Sequence, residues 1–192
     1  MVEVVAMEKI VKSFSSLCSS AYECWQMHKI MCEYNCEYKI DNKDKSGIWA
    51  KFSIILPHSV ILHIAKINDP KKHGKDYNLS LAYFVARVDK ASYTDSYHKF
   101  KEANKDFIEA IREARNKVVA HPGLEVYTSD AVVGAFFTGL DENYFNSLHK
   151  IISEGYMELG LDFFPEWPPF IVNDTKIFMN KILKIFDTQQ SS

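Results

Sequence analysis

The chain has 192 residues, of which 47% are hydrophobic, 25% charged and 14% aromatic, a composition that excludes a disordered, collagen-like or purely coiled-coil protein and points to one compact domain. Lys and Arg number 23 against 25 Asp and Glu, a net charge of -2. No overall field therefore draws the chain to nucleic acid or to an anionic membrane, and any polyanion site has to be local.

The N-terminal residues 1–6 lack a basic stretch followed by a long apolar run and a small-residue cleavage site, so no secretion signal is expected. The most apolar segment, 48–67, is interrupted by Lys51, Pro57, His58, His63 and Lys66 and is too polar to span a bilayer. The expectation is a cytoplasmic protein with no membrane partner. Cys18, Cys24, Cys32 and Cys36 all fall in one N-terminal stretch, which fits reduced thiols in a single element better than a disulfide scaffold.

Apolar residues recur every three or four positions from Val4 through Met7, Val11, Phe14, Cys18, Ala21 and Trp25 to Cys32, which predicts a long amphipathic helix over about 3–36. A polar loop at 41–47 leads to a second helix from Ile48 to about Asn68, expected to kink at Pro57. Asp69-Pro70 ends it, and 71–77 is a basic loop. Asn78-Leu79-Ser80 supplies a cap for a short helix that reaches Val88. A fourth helix starts at Thr94-Asp95 and carries the stripe Phe100, Ala103, Phe107, Ile111, Ala114 and Val118, stopping near His121 because Pro122 disfavours helical geometry before it. A fifth helix covers 141–159, a loop rich in proline and aromatics 160–173, and a last helix 174–186. No stretch alternates strictly enough to predict a sheet. The fold class is all-α, an up-and-down helical bundle with an additional C-terminal helix, in one domain over 1–192. Its main bundle covers about 5–160 and its helical extension about 161–187.

Cys24, His28, Cys32 and Cys36 are spaced by four, which invites a metal reading. Each step of four overshoots the face by about 40° and rises about 6 Å, so one straight helix offers only two of them to one ion. Buried thiols and a hydrogen-bonded core histidine explain the pattern better. The segment 163–170 could form a stacking platform for bases, but prolines between aromatics more often hold a loop down over the core. The Gly-rich phosphate loop, the Gly-x-Ser-x-Gly elbow and the His-Glu-x-x-His pair are all absent from the sequence.

The remaining constellation runs from Arg112 to His121. Arg115 lies four residues after Ile111 and so flanks the packed stripe of its helix, where a guanidinium needs an anionic partner. A salt bridge to an acid on a neighbouring helix, with His121 as a cation at the helix C-terminus, is the plainer account. The chemical alternative is a phosphate site. Six residues on an ideal helix leave Arg115 and His121 about 120° apart and about 9 Å along the axis, so one chain alone makes a poor site.

Arg115-Asn116, four intervening residues and His121 resemble the R-N-x-x-x-x-H form of the HEPN motif. Glu113 to His121, with Ile67-Asn68-Asp69-Pro70 and Asn78-Leu79-Ser80-Leu81 upstream, resemble the AbiU-like branch of that superfamily, which is associated with phage defence. The resemblance covers roughly 5–160 and implies a helical bundle that pairs as a homodimer, so that two motifs face each other. It also implies a metal-independent endoribonuclease, often a toxin with an antitoxin partner, that takes RNA as substrate. Carried over residue by residue, Arg115 and His121 would be catalytic and Asn116 would orient them or the RNA, with Asp69, Asn78 and Ser80 in support. Arg112, Lys117, Lys66, Lys71 and Lys72, with Lys75 nearby, form the local basic patch expected to hold RNA. Cofactor, metal and DNA do not enter this expectation. Some HEPN toxins carry a tyrosine two residues after the histidine as a modification site, whereas this chain has Gly123 there and its nearest tyrosine is Tyr127. The rivals to catalysis are a HEPN bundle that only binds RNA, nucleotide or a protein, and a purely structural helical dimer.

Overall fold

A computed structural model describes residues 2–37, 47–120, 139–161, 167 and 170–190. Helix α1 (Val2–Glu37) turns Val11, Phe14, Cys18, Ala21 and Trp25 into the core, the three- and four-residue spacing that places side chains on one face. It packs along α2 (Gly47–Ile67), whose Val60, Ile61, Ile64 and Ile67 are fully buried. Helix α2 continues through Pro57, whose ring is itself buried.

The segment expected as a basic loop closes into a small antiparallel hairpin, β1 (Lys72–His73) with β2 (Asp76–Tyr77). Gly74, at a φ of +60°, occupies the first turn position, where a side chain would be strained. Strands of two residues are too short to show any alternation, so periodicity could not reveal them. Helix α3 (Leu81–Val88) starts at Ser80, whose hydroxyl accepts the Tyr83 N–H.

The single fourth helix expected from the stripe is two helices, α4 (Ala91–Ala103) and α5 (Lys105–Ala120). Asn104 separates them. Its buried side-chain amide donates to the Phe100 carbonyl at 2.8 Å and to Ser147 Oγ at 3.1 Å. An asparagine that bonds locally competes with a continuous helical ladder, and here it takes the inward position expected of Ala103, which is exposed.

Helix α6 (Leu140–Glu158) runs antiparallel to α1. Trp25 Nε1 donates to Asp141 Oδ2 at 2.7 Å and Lys29 pairs with Glu142 at 3.0 Å at one end, while Ser15 meets the Tyr156 hydroxyl at the other. Helix α7 (Phe170–Gln190) begins four residues earlier than expected and lies against α1. The described residues thus form an all-α, up-and-down bundle of seven helices, of which α7 is the additional C-terminal one.

The main core joins α1 through α6, with Trp25 stacked on Phe145 at 4.6 Å and Phe107 tilted against Tyr144 at 5.0 Å. A second cluster, Ile30, Met31, Leu56 and Met179, joins α1, α2 and α7. Trp167 stacks on Tyr22 at 4.7 Å, as a residue holding a loop over the core would. Its neighbours 163–166, 168 and 169 lie outside the described residues.

Among the described glycines, Gly155 is the one pressed closely by its neighbours. A Cβ there would stand 2.5 Å from both Phe84 Cε1 and Tyr93 Oη. Neither ring can retreat, since Phe84 is fully buried and the Tyr93 hydroxyl donates to the Ile151 carbonyl at 2.9 Å. Gly155→Ala is expected to lower folding stability by about 1–3 kcal/mol. The measurement is the urea midpoint at unchanged slope.

Candidate functional site

Helix α5 divides its two faces sharply. Phe107, Ile108, Ile111 and Ala114 are buried, whereas Arg112, Asn116 and Lys117 are exposed and Arg115 stands at the boundary. Arg115 Nη1 donates to Asp69 Oδ1 at 2.9 Å, with the two side chains 41% and 27% exposed. The salt bridge of the plainer expectation is therefore present, but the acid, the Asp69 of the resemblance, lies two residues past the end of α2 and not on a helix, and the part of that expectation that concerns His121 falls outside the described residues. A pair this open to water holds geometry more than it stabilises, contributing less than about 1 kcal/mol.

Asp69 is held by the residue before it. The Asn68 side-chain amide donates to the Ile64 carbonyl at 2.9 Å and to the Tyr144 hydroxyl at 2.7 Å, tying the end of α2 to α6. Burial pushes the Tyr144 phenol far above its ordinary range, so it stays protonated. Asn68 Oδ1 is buried without a hydrogen-bond partner among the described residues. Asn68, Asp69, Arg112 and Arg115 line a depression of about 10 Å³, room for no more than a water.

The other expected residues fall into two groups. Lys66, Lys71, Lys72 and Lys75 are exposed around the hairpin that follows Asp69. Asn78 and Ser80 are structural: Asn78 Nδ2 donates to the Pro70 carbonyl at 2.8 Å and closes the hairpin base, and Ser80 is buried as the α3 cap. His121 lies outside the described residues, as do Gly123 and Tyr127. Two residues were not foreseen. Lys101 is half-buried, and burial first and the Arg112 charge second hold its ammonium below the usual lysine range, which adds a cation beside the motif helix. Tyr77 is 65% exposed with Lys72 Nζ 5.6 Å over its ring. A lone tyrosine in a polar loop carries no periodic signal that would mark it.

The cysteines stand apart from this site. All four are free, and they grade from buried Cys18 to exposed Cys36, so only part of the expected burial of thiols holds. His28 is buried, with Cys32 Sγ 3.7 Å from its Nε2. Both line a cavity of about 380 Å³ with Trp25, Lys29, Asp141 and Glu142. Burial holds the His28 imidazole below its ordinary range, opposed by the Asp141 carboxylate. Among the described residues, no three His, Cys, Asp or Glu are placed to share a metal ion.

Residues 5–154 match the model of a HEPN family described as AbiU2. No curated protein and no solved structure matches the chain. Among the described residues no helix is long and apolar enough to cross a membrane.

His28 generates a pH prediction. Its folded-state pKa is below the unfolded value of about 6.5, so the unfolded chain binds the extra proton first. Stability should be full above about pH 6.5 and decline as pH falls from there through the folded value. His28→Gln, which cannot take up the proton, should flatten this decline relative to the wild type in urea midpoints measured across that range.

Proposed function

The chain belongs to the AbiU2 family of HEPN proteins, and on that premise we propose that it is a metal-independent endoribonuclease of the cytoplasm, acting in phage defence or as the toxin of a toxin–antitoxin system. Family membership and the helical bundle support a general HEPN-type, RNA-related function. The observation that carries the finer reading is Arg115. Its guanidinium is 41% exposed at the end of the apolar face of α5, held from one side by Asp69.

An arginine has five N–H donors, and Asp69 engages one of them. Among the described residues no second acceptor engages the remaining donors, and a planar guanidinium is well matched to a phosphate. Exposed Arg112 and Lys117 stand on the same helix, interspersed with the exposed acids Glu109 and Glu113. In the proposed reaction the ribose 2'-oxygen bonds to the adjacent phosphorus and the bond from phosphorus to the 5'-oxygen breaks, leaving a 2',3'-cyclic phosphate. One group takes the 2'-hydroxyl proton, another donates to the departing 5'-oxygen, and cations meet the charge that grows on the phosphoryl oxygens. An imidazole is suited to proton transfer around neutral pH, the role His121 would take, and a guanidinium such as that of Arg115 is suited to charge stabilisation. Asn116 would orient either. A homodimer would bring two copies of each to one phosphodiester, which a six-residue spacing on an ideal helix would not allow a single chain. The RNA brings its own nucleophile, so the step draws on no metal.

A second reading has one observation in its favour. The depression beside Arg115 has a volume of only about 10 Å³, too small to enclose a reacting group within one chain, which favours a bundle that binds RNA, nucleotide or a protein partner on its open surface without cleaving.

Incubation of the purified protein with RNA in the presence of a chelator tests the first reading. Cleavage to cyclic phosphate ends is expected, and His121→Ala should slow it about 10²- to 10⁴-fold while the urea midpoint is retained. Wild-type cleavage by His121→Ala overturns the assignment. If the wild type yields no product and Arg115→Ala weakens RNA binding, the second reading replaces the first.

A further inference from the structure

The segment from Pro70 to Asn78 carries Lys71, Lys72, Lys75 and His73 against the single acid Asp76, in a chain whose net charge is -2. Residues 70–77 are all exposed. Within this patch Tyr77 presents 65% of its surface to solvent. An isolated exposed aromatic is ordinary, but an aromatic face among lysines is the combination that tracks a single strand, with stacking for the bases and ammonium groups for the phosphates.

The ring is also braced. Tyr83 stands against it with centroids 5.5 Å apart, and the Tyr83 backbone is fixed by its hydrogen bond to the Ser80 cap at 3.3 Å. The hairpin base is closed twice by Asn78, through its side chain to Pro70 at 2.8 Å and its N–H to the Lys71 carbonyl at 3.1 Å. The arm is thus tied two residues from Asp69, which holds Arg115. Three residues from Asp69 to Lys72 span at most about 11 Å, and Lys72 is paired directly with Tyr77 at about 5 Å. A short strand bridges that distance within the roughly 4 to 16 nucleotides of a typical single-strand site.

We propose that the β1–β2 hairpin is a receiving arm for unpaired RNA, in which Tyr77 stacks on a nucleobase while Lys71, Lys72 and Lys75 hold the flanking phosphates. This rests on the reading of Arg115 as a phosphate site and narrows its substrate to single-stranded RNA. Lys72, now over the ring at 5.6 Å, yields that face to the base and turns its flexible stem toward the backbone. Bases within a duplex are already stacked on both faces and cannot use the arm.

The probe is a fluorescein-labelled, unpaired RNA of about ten nucleotides with 2'-fluoro riboses, which lacks the attacking hydroxyl, read by anisotropy with the full-length protein. The wild type should bind it more tightly than the same sequence in a duplex. Tyr77→Ala and Tyr77→Leu should each weaken binding about 5- to 150-fold, the span of one base–aromatic stack, without changing the salt dependence. Tyr77→Trp should bind at least as tightly as the wild type, which a merely structural role would not produce. Lys75→Ala should instead reduce the salt slope by about 0.7. Wild-type affinity in Tyr77→Ala and Tyr77→Leu, together with loss of binding in Arg115→Ala, overturns the arm and leaves the proposed function standing. A wild type that binds neither form of RNA overturns both.

Discussion

Two adjacent residues just past the end of α2 decide how the rest of the molecule is arranged. Asn68 bonds back to its own helix and across to the Tyr144 hydroxyl of α6, and Asp69 reaches the guanidinium of Arg115 on α5. Three helices are thereby locked at one point by polar contacts around an apolar core. Tyr144 is fully buried there, so its hydroxyl requires a partner, and Asn68 supplies it. The same junction is where the chain leaves α2, so the basic hairpin begins three residues after the acid that holds Arg115.

The division of labour on α5 follows from this. Its buried residues commit one face to the core, so its cations stand along the opposite edge. Lys101 adds to them from α4, close enough to feel the charge of Arg112. In a chain with almost no net charge, positive density arises only where the chain gathers it, and the hairpin, with three lysines against one acid, is one such place. The cavity between α1 and α6 differs in kind. Its walls include the buried His28, the Cys32 thiol and an indole bonded to a carboxylate, an arrangement of packing and local hydrogen bonds well removed in sequence from Asp69 and Arg115.

Long elements were the most legible in the sequence. The stripe of α1, and the polar loop and Asp69-Pro70 that bound α2, predicted both helices to within a residue or two at each end. The Ser80 cap marked the start of α3 through a local side-chain bond that needs no tertiary context. The break at Asn104 was hidden, since its cause is a bond to Ser147 some forty residues on, and the apolar stripe continues across it. The start of α7 was placed late because Phe170, Ile171 and Val172 read as part of an aromatic loop until their helical phase is known. At the site, the need for an anion beside Arg115 followed from its position against the apolar stripe. Which acid met that need depended on the path of α2, and among the sequence clues the family resemblance alone pointed to Asp69. Tyr77 and Lys101 gave no sign, since exposure and charge proximity are properties of the folded chain.

Helix α7 touches the remainder mainly along α1, and its buried anchor Met179 belongs to the smaller apolar cluster with Ile30, Met31 and Leu56. That cluster has no member on α5 or in the hairpin. The molecule therefore contains a clasp that can open as a separate cooperative unit, uncovering the far halves of α1 and α2 while the knot around Asn68 stays tied. Amide protons of the C-terminal helix would then exchange through a local route that leaves the Asp69–Arg115 end of the bundle undisturbed.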